Sequence, residues 1–530
     1  MDAIVKRFLL PTSIFEEQPG NRSPELRIRE YLRLQLNAPL SIPISLMRRL
    51  PLNDVTRGHN AVTSYDGHIW RLADLQSVQS SHVDIMGLAV DLGSTSVVFT
   101  LVNLETGETF QPMSLPNPQR KYGEDILSRI LFAVQNGVEH LQHPILQLFN
   151  EAIDSLCEKH GISSSDIFYL SVAGNTTMCH FLLGLDSSFI FREPYRPQAN
   201  TFDVIPAQEL GLKCNENALV YVFPNIGSYF GGDLLAGILA TGMHKQEAIS
   251  LLVDVGTNAE VVLGNKDWLV ACAGAAGPAL EGGILSCGTV ARPGAIERVT
   301  IHQTAEAIPV LSYKTIDNKP VCGICGSGVI DLFSAMFLTG IVDPTGKLVL
   351  ERMGDRAILI QDEWAYVLAF ASETSHGRPI YLSQSDIKNL MRSKAAMYTL
   401  LEVVTQSVGL NFQDIENIFV AGAFGNYINP RSAIEIGMLP DVPIQRFKPV
   451  GNSASTGAVQ LLLERTSMQE VKDITERLTY LEMNARGDFM KLLTAAMFLP
   501  HTDAARFPTV KGSGHNTHLL LEENPEIVNM

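Results

Sequence analysis

The chain has 530 residues, 46% hydrophobic and 18% charged, enough to bury a large core shared among several domains. Its formal net charge of −16 argues against general binding to nucleic acid or to an anionic membrane, so any anion site must be local. No apolar run reaches 18 residues, and Phe8-Leu9-Leu10 is too short a core for a signal peptide, so the expectation is a cytoplasmic protein with no membrane partner.

Residues 1–82 read as a small α+β accessory domain. A helix is expected over 25–36, with apolar residues at 26, 28, 32, 34 and 36, followed by a polar hairpin-like run to Leu75. A first α/β lobe is expected over 83–250. It opens on Gly87-Leu-Ala-Val-Asp-Leu-Gly-Ser-Thr95, an apolar strand that stops at Asp91, turns through Gly93, Ser94 and Thr95 and resumes as an apolar strand. Such a turn is a concavity of backbone N–H groups suited to phosphate oxygens, and the acid at its mouth suits Mg²⁺, directly or through water. The polar stretch 117–129 then leads into a helix continued by Ile130, Leu131 and Val134, and reads equally as a solvated helix start. A helix over 144–159 and a strand over 167–172 precede Ala173-Gly-Asn-Thr-Thr-Met178, and Gly231-Gly-Asp233 stands before an Ala/Leu-rich helix.

A second lobe is expected over 251–470. Its hairpin, 251–264, repeats the first: apolar strand, Asp254, a turn through Gly256, Thr257 and Asn258, apolar strand. A Gly/Ala-rich run covers 273–283, and Gly326 and Ser327 open a helix whose free N–H groups face either an anion or an opposing helix. Gly422, Ala423 and Gly425 close a strand on a glycine loop that permits close backbone approach, between helices at 385–407 and 455–464. Residues 471–530 form a C-terminal segment, with a loosely held polar tail from Thr509.

Seven scattered cysteines make no disulfide framework. Cys322-Gly-Ile-Cys325 has metal-like spacing, but two ligands cannot close a zinc or iron–sulfur site that wants four. The pair reads as small side chains beside a tight turn, with a site shared across a homodimer left open.

The two Asp–Gly hairpins and the later glycine loop together resemble the acetate kinase, sugar kinase, Hsp70 and actin superfamily of ATPases. That resemblance implies an α/β, two-lobed actin-like fold with duplicated ribonuclease H-like halves. It also implies ATP and Mg²⁺ as cofactors. Asp91 would place the metal, Asp254 would orient the metal or the attacking water, the residues 93–95 and 256–258 would cradle phosphates, and Gly422–Gly425 would lie against adenosine.

More closely, the chain resembles the ATP-dependent reductive activators of corrinoid proteins that serve methyltransferases. The phrases that carry this are the first hairpin, Asn117-Pro-Gln with Tyr122-Gly-Glu-Asp125, Val172–Met178, Gly231–Asp233, Ala291-Arg-Pro-Gly-Ala-Ile296, Ile324–Asp331 and Phe498-Leu-Pro-His-Thr-Asp503. Residues 38–82 also resemble the family's middle domain. The resemblance implies a corrinoid protein as partner and ATP-driven reduction of Co(II) to Co(I). Many members carry an iron–sulfur ferredoxin domain, and this sequence has no four-cysteine cluster motif. No intrinsic iron–sulfur cluster is therefore expected, and the electron donor is expected to be a separate ferredoxin-like protein. Two other readings use the same hairpins: a small-molecule kinase, and a binding protein switched by ATP.

Overall fold

The computed structural model describes residues 2–15, 23–50, 58–78, 84–256, 258–275, 285–302, 309–425, 427–483 and 487–510. At the front, helix Pro24–Leu36 starts where Ser23 accepts from the Leu26 N–H and Pro24 sets the first turn, and it stops at Asn37 in the left-handed region. It turns Ile28 and Leu32 into a core with Leu10, Phe15, Trp70 and Leu72. The partnering sheet runs Val5–Leu10, His59–Tyr65, Trp70–Ser77, Leu40–Ser41, so the expected hairpin is present and its outer edges are both occupied.

The chain divides into two compact units. The first takes residues 2–247, 264–269 and 452–480. Its main sheet runs Met113–Pro116, Ser96–Asn103, Met86–Leu92, Ile167–Gly174, Leu219–Val222, Ile205–Pro206. Strand Met86–Leu92 is central because it can be buried on both faces. Leu88, Val90 and Leu92 join Phe99 and the apolar stripe of helix Glu139–His160 in one core. The alternate positions are small, and a Cβ on Gly87 would stand 3.1 Å from Leu462 of helix Ser453–Leu463. That helix also presses on helix Gly232–Thr241, where Gly457 lies against the Ala236 backbone too closely for any side chain.

The segment 452–480 therefore packs with the first unit, whereas the boundary at 470 places most of it with the second lobe. The sequence order of elements put it there; the small faces of Gly87 and Gly457 put it elsewhere.

The second unit holds strands Phe447–Gly451, Asn417–Ala421, Ser250–Val255, Asn258–Gly264 and Leu269–Ala275 in that order. Helix Gln384–Ser407, opened by a Ser383/Asp386 capping box, lies on it through Leu400, which meets Cys272 and the Cβ position of Gly274. Two three-stranded sheets complete it. Among the described residues no helix is long and apolar enough to cross a membrane. Most of the Gly/Ala-rich run, 276–284, and the tail 511–530 lie outside the described residues. Thr509 itself is not loose: its N–H and hydroxyl both donate to Asp441 at 2.8 Å.

Candidate functional site

In the first unit, Asp91 pairs antiparallel with Val98 and, on the strand's other edge, parallel with Ala173, so that Leu92 stands beside Gly174. The turn between the hairpin strands needs glycine at Gly93, because a Cβ there would stand 2.5 Å from the Ser96 carbonyl oxygen. Asn452 caps helix Ser453–Leu463 through its Oδ1, which accepts from the Ser455 N–H at 2.8 Å. Its Nδ2 donates to Asp91 Oδ2 at 2.7 Å. Burial pushes the Asp91 carboxyl up to about 6, against the opposing pull of that amide. A carboxylate poised this way gains from a divalent cation, which favours its charged form.

The strand end beside Asp91 continues as Asn175, which caps helix Thr176–Leu183 by accepting from the Met178 N–H at 3.0 Å. Gly231 lies on this corner, its Cβ position 2.4 Å from Asn175 Cα, and Gly232 is pressed on Phe223. The phrases Val172–Met178 and Gly231–Asp233 thus meet each other and the first hairpin.

The second unit repeats the register. Strand Ser250–Val255 pairs parallel with Asn417–Ala421, and Asp254 stands opposite Ala421 as Asp91 stands opposite Ala173. Both partner strands end on Val-Ala-Gly, at Val172-Ala173-Gly174 and Val420-Ala421-Gly422. This repeat is the signal in the sequence that ties the third glycine loop to the second hairpin. Gly422 has φ +84°, and a Cβ on it would stand 2.9 Å from Asp254 Oδ1. Gly425 closes the short helix Gly422–Gly425, where a Cβ would meet the Val420 carbonyl oxygen at 2.5 Å. Gly256 follows the last residue of the first strand of the pair, Asn258 opens the second, Ala423 lies in the short helix, and Thr257 lies outside the described residues.

Gly326 and Ser327 open helix Gly326–Leu338 against strand Ala295–His302. The Ser327 hydroxyl donates to the Glu297 carbonyl at 3.2 Å, and Gly328 presses on the Ile296 carbonyl. Cys322 and Cys325 turn their thiols to the Pro293 and Ile296 carbonyls at 3.6 and 3.3 Å. The phrase Phe498–Asp503 is an anchor: fully buried Lys394 donates to the Phe498 and Pro500 carbonyls, and burial holds its ammonium well below the usual lysine range. One residue stands out that the sequence did not single out, and one alternative left open there is decided. Asn452 is marked only by the Gly451-Asn452-Ser453 helix start, and the segment 117–129, read equally as solvated, is buried at Asn117, Gln119 and Arg129.

In each unit taken by itself, the carboxylate at the hairpin is of the chemistry that suits Mg²⁺ beside phosphate oxygens. Among the described residues no group of three or more His, Cys, Asp and Glu could hold a metal, but Mg²⁺ keeps several waters and needs one or two carboxylates plus phosphate oxygens. Hard carboxylate oxygens at Asp91 and Asp254, each beside backbone with no room for a Cβ, are that chemistry.

Comparison with known proteins gives the family. Residues 248–511 match the family model described as the C-terminal domain of RACo, the ASKHA domain, and residues 86–246 match the RACo middle region. The middle region therefore begins after the front domain, not within residues 1–82. The "corrinoid activation enzyme RamQ" of Eubacterium limosum is 29% identical over 430 residues, 79% of this chain and 71% of that protein. A "[Co(II) methylated amine-specific corrinoid protein] reductase" of Methanosarcina barkeri is 26% identical over 427 residues, 74% of this chain and 73% of that protein. The solved structure of a "reductive activator for corrinoid,iron-sulfur protein" superposes with a TM-score of 0.87 at 37% identity, covering 96% of this chain and 81% of its own. The chain belongs to the RACo family of reductive activators of corrinoid proteins, with an ASKHA, actin-like ATPase fold.

Proposed function

We propose that this protein is an ATPase that drives the reduction of Co(II) to Co(I) in a corrinoid protein of a methyltransferase system, with electrons from a separate ferredoxin-like donor. The observation that carries the reading is the repeated corner: a hairpin carboxylate, Asp91 or Asp254, set in register beside a strand that ends on Val-Ala-Gly. The identity of the relatives as corrinoid activators supports the choice of substrate.

Bound Mg–ATP would supply the driving free energy of phosphoryl transfer, whose catalysis is mostly positioning and charge stabilisation. Asp91, oriented by Asn452, would hold the metal or its waters, and Asp254 would orient the metal or the attacking water. Gly93, Ser94 and Thr95, with Gly256, Thr257 and Asn258, would present backbone N–H groups to phosphate oxygens. Gly422, Ala423 and Gly425 would lie against the adenosine, on a loop whose two glycines let the backbone turn tightly against Asp254 and Val420. Gly326 and Ser327 would serve this site from the start of their helix, and in any case fasten that helix to its sheet. A corrinoid partner that binds two nucleotide states unequally would feel the difference as a shift in its own equilibrium.

The test is anaerobic. Reduction of the corrinoid protein, followed by its visible absorbance, should require this protein, ATP and a low-potential donor together. Reduction that runs equally well without ATP, or hydrolysis that responds to a sugar or acid and to no corrinoid protein, would replace this reading with the kinase one.

A further inference from the structure

The segment 117–129 folds against the first hairpin turn and takes hold of its carbonyls. The Asn117 N–H donates to the Thr95 carbonyl at 2.9 Å, and Asn117 Nδ2 donates to the Gly93 carbonyl at 2.8 Å. The remaining carbonyl, that of Ser94, accepts from Arg129 Nη1 at 2.7 Å. All three carbonyls of the turn are therefore held by this one segment. In a trans peptide the N–H of the next residue points opposite to the carbonyl. Holding the Gly93 and Ser94 carbonyls thus aims the Ser94 and Thr95 N–H groups away from the segment, to where an anion would receive them.

Arg129 is itself unusual. It is fully buried on helix Ile126–Asn136, and the oxygens its nitrogens meet are backbone carbonyls: Ser94, Gly123 at 2.8 Å and Glu124 at 3.4 Å. The nearby carboxylates are turned to other partners, Glu124 to Arg120 at 2.9 Å and Asp125 to Ser128 at 2.8 and 2.7 Å. A guanidinium stays charged even when burial works against it. Its oxygen partners at hydrogen-bond range are dipoles, with the carboxylates of Glu124 and Asp125 acting on it only through space, so the guanidinium is directed at the turn carbonyl and not at a carboxylate. Asn117 is 1% exposed and Arg129 0%, so neither is available to touch a ligand on the solvent side.

We propose that Asn117 and Arg129 are positioning residues for the phosphate chain of a nucleoside triphosphate: together they set the orientation of the Gly93–Thr95 turn, and Arg129 adds a positive charge from behind it. This rests on the nucleotide reading above and assigns a role within that site that the hairpin motif does not contain. An exposed phosphate ligand would be an arginine at the mouth; here the charge works through the backbone.

Calorimetric titration of the full chain with Mg–ATP and, separately, with adenosine tests it, on the wild type and on Arg129→Gln, Arg129→Lys and Asn117→Ala. Arg129→Gln should weaken Mg–ATP tenfold or more and leave adenosine within twofold. Arg129→Lys, which keeps the charge but not the fork, should recover part of the loss, and Asn117→Ala should lose Mg–ATP affinity selectively. If Arg129→Gln fails to fold, the Mg–ATP to adenosine ratio in Arg129→Lys and Asn117→Ala decides the question in its place. Equal losses for both ligands, or no loss for either, would reduce the pair to ordinary fold stabilisers and overturn the proposal. A wild-type protein that binds neither probe would instead refute the nucleotide reading, and the proposal with it.

Discussion

The two hairpin corners share a register and differ in the glycine that stands beside the carboxylate. Asp91 accepts from the Asn452 amide at 2.7 Å, brought in on the first turn of helix Ser453–Leu463. Beside Asp254, Gly422 has φ +84° and lies so near that a Cβ would stand 2.9 Å from Oδ1. Beside Asp91 the corresponding glycine, Gly174, has no positive φ, and its Cβ position lies 3.0 Å from Leu92 Cβ and carbonyl oxygen. One duplicated motif thus rests on a left-handed glycine in one unit and on an ordinary one in the other. The Gly174 corner tolerates substitution better than the Gly422 corner.

The largest effect should come from removing the feature the corners share. Asp91→Ala and Asp254→Ala should each lower ATP hydrolysis by about 100-fold or more, the scale of losing one charge-organising group, while thermal unfolding stays close to wild type. Near-wild-type hydrolysis in either variant would make that corner structural and end the equivalence.

The contrast itself is sharpened by paired glycine substitutions. Gly422→Ala forces a side chain into the left-handed region and against a carboxylate, and should cost about 1–3 kcal/mol of stability as well as most of the activity. Gly174→Ala meets a contact that a small shift relieves, so its melting temperature should fall less. A reversed order, measured by chemical denaturation, would break the comparison.

A smaller effect is expected at Asn452, where Asn452→Ser keeps a helix cap and withdraws the amide from Asp91. The amide lowers the Asp91 pKa, which burial has raised to about 6, so its loss raises that value further. Activity that needs the carboxylate fades as pH falls through this pKa, so the acid limb of the rate profile should move to higher pH in Asn452→Ser. An unmoved limb would mean that the amide does not govern the acid.

The smallest effect concerns acid stability. His180 and His244 in the first unit and His501 in the second are all held below the ordinary histidine value, with burial as the largest cause. His180 Nδ1 meets the Thr176 carbonyl at 2.7 Å and its Nε2 accepts from the Ala199 N–H, a bond available only to the neutral ring. A histidine neutral in the native state takes up its proton more readily when unfolded, so stability falls as pH drops through about 6.5. Helix Thr176–Leu183, which carries His180, should therefore lose hydrogen-exchange protection on acidification from pH 7 to pH 5.5, whereas the strand end at Asp91, whose raised pKa acts in the opposite sense, should not. Equal loss at the two places would remove this contrast.

The hairpins were legible because strand, acid and glycine turn lie within a dozen consecutive residues, where local patterning acts directly. The role of the segment 117–129 was not legible, because a polar helix start and a buried clamp have the same composition. Asn117 and Arg129 look like solvent-facing residues until the turn carbonyls they bind are known to lie beside them.

By itself the sequence determined the elements and their chemistry: two apolar strand pairs ending in carboxylates, the glycines that no side chain could replace, and cysteines too sparse for a cluster. Those are consequences of side-chain size, charge and period along a short stretch. Tertiary structure alone decided the assignments between distant stretches. It placed residues 452–480 with the first unit, set Asn452 on Asp91 across 361 positions, laid Gly422 against Asp254, and buried Arg129 behind Ser94. The reason is that such contacts depend on which surfaces are small enough to approach, as Gly87, Gly457 and Gly422 are, and that complementarity exists between two segments and is written in neither.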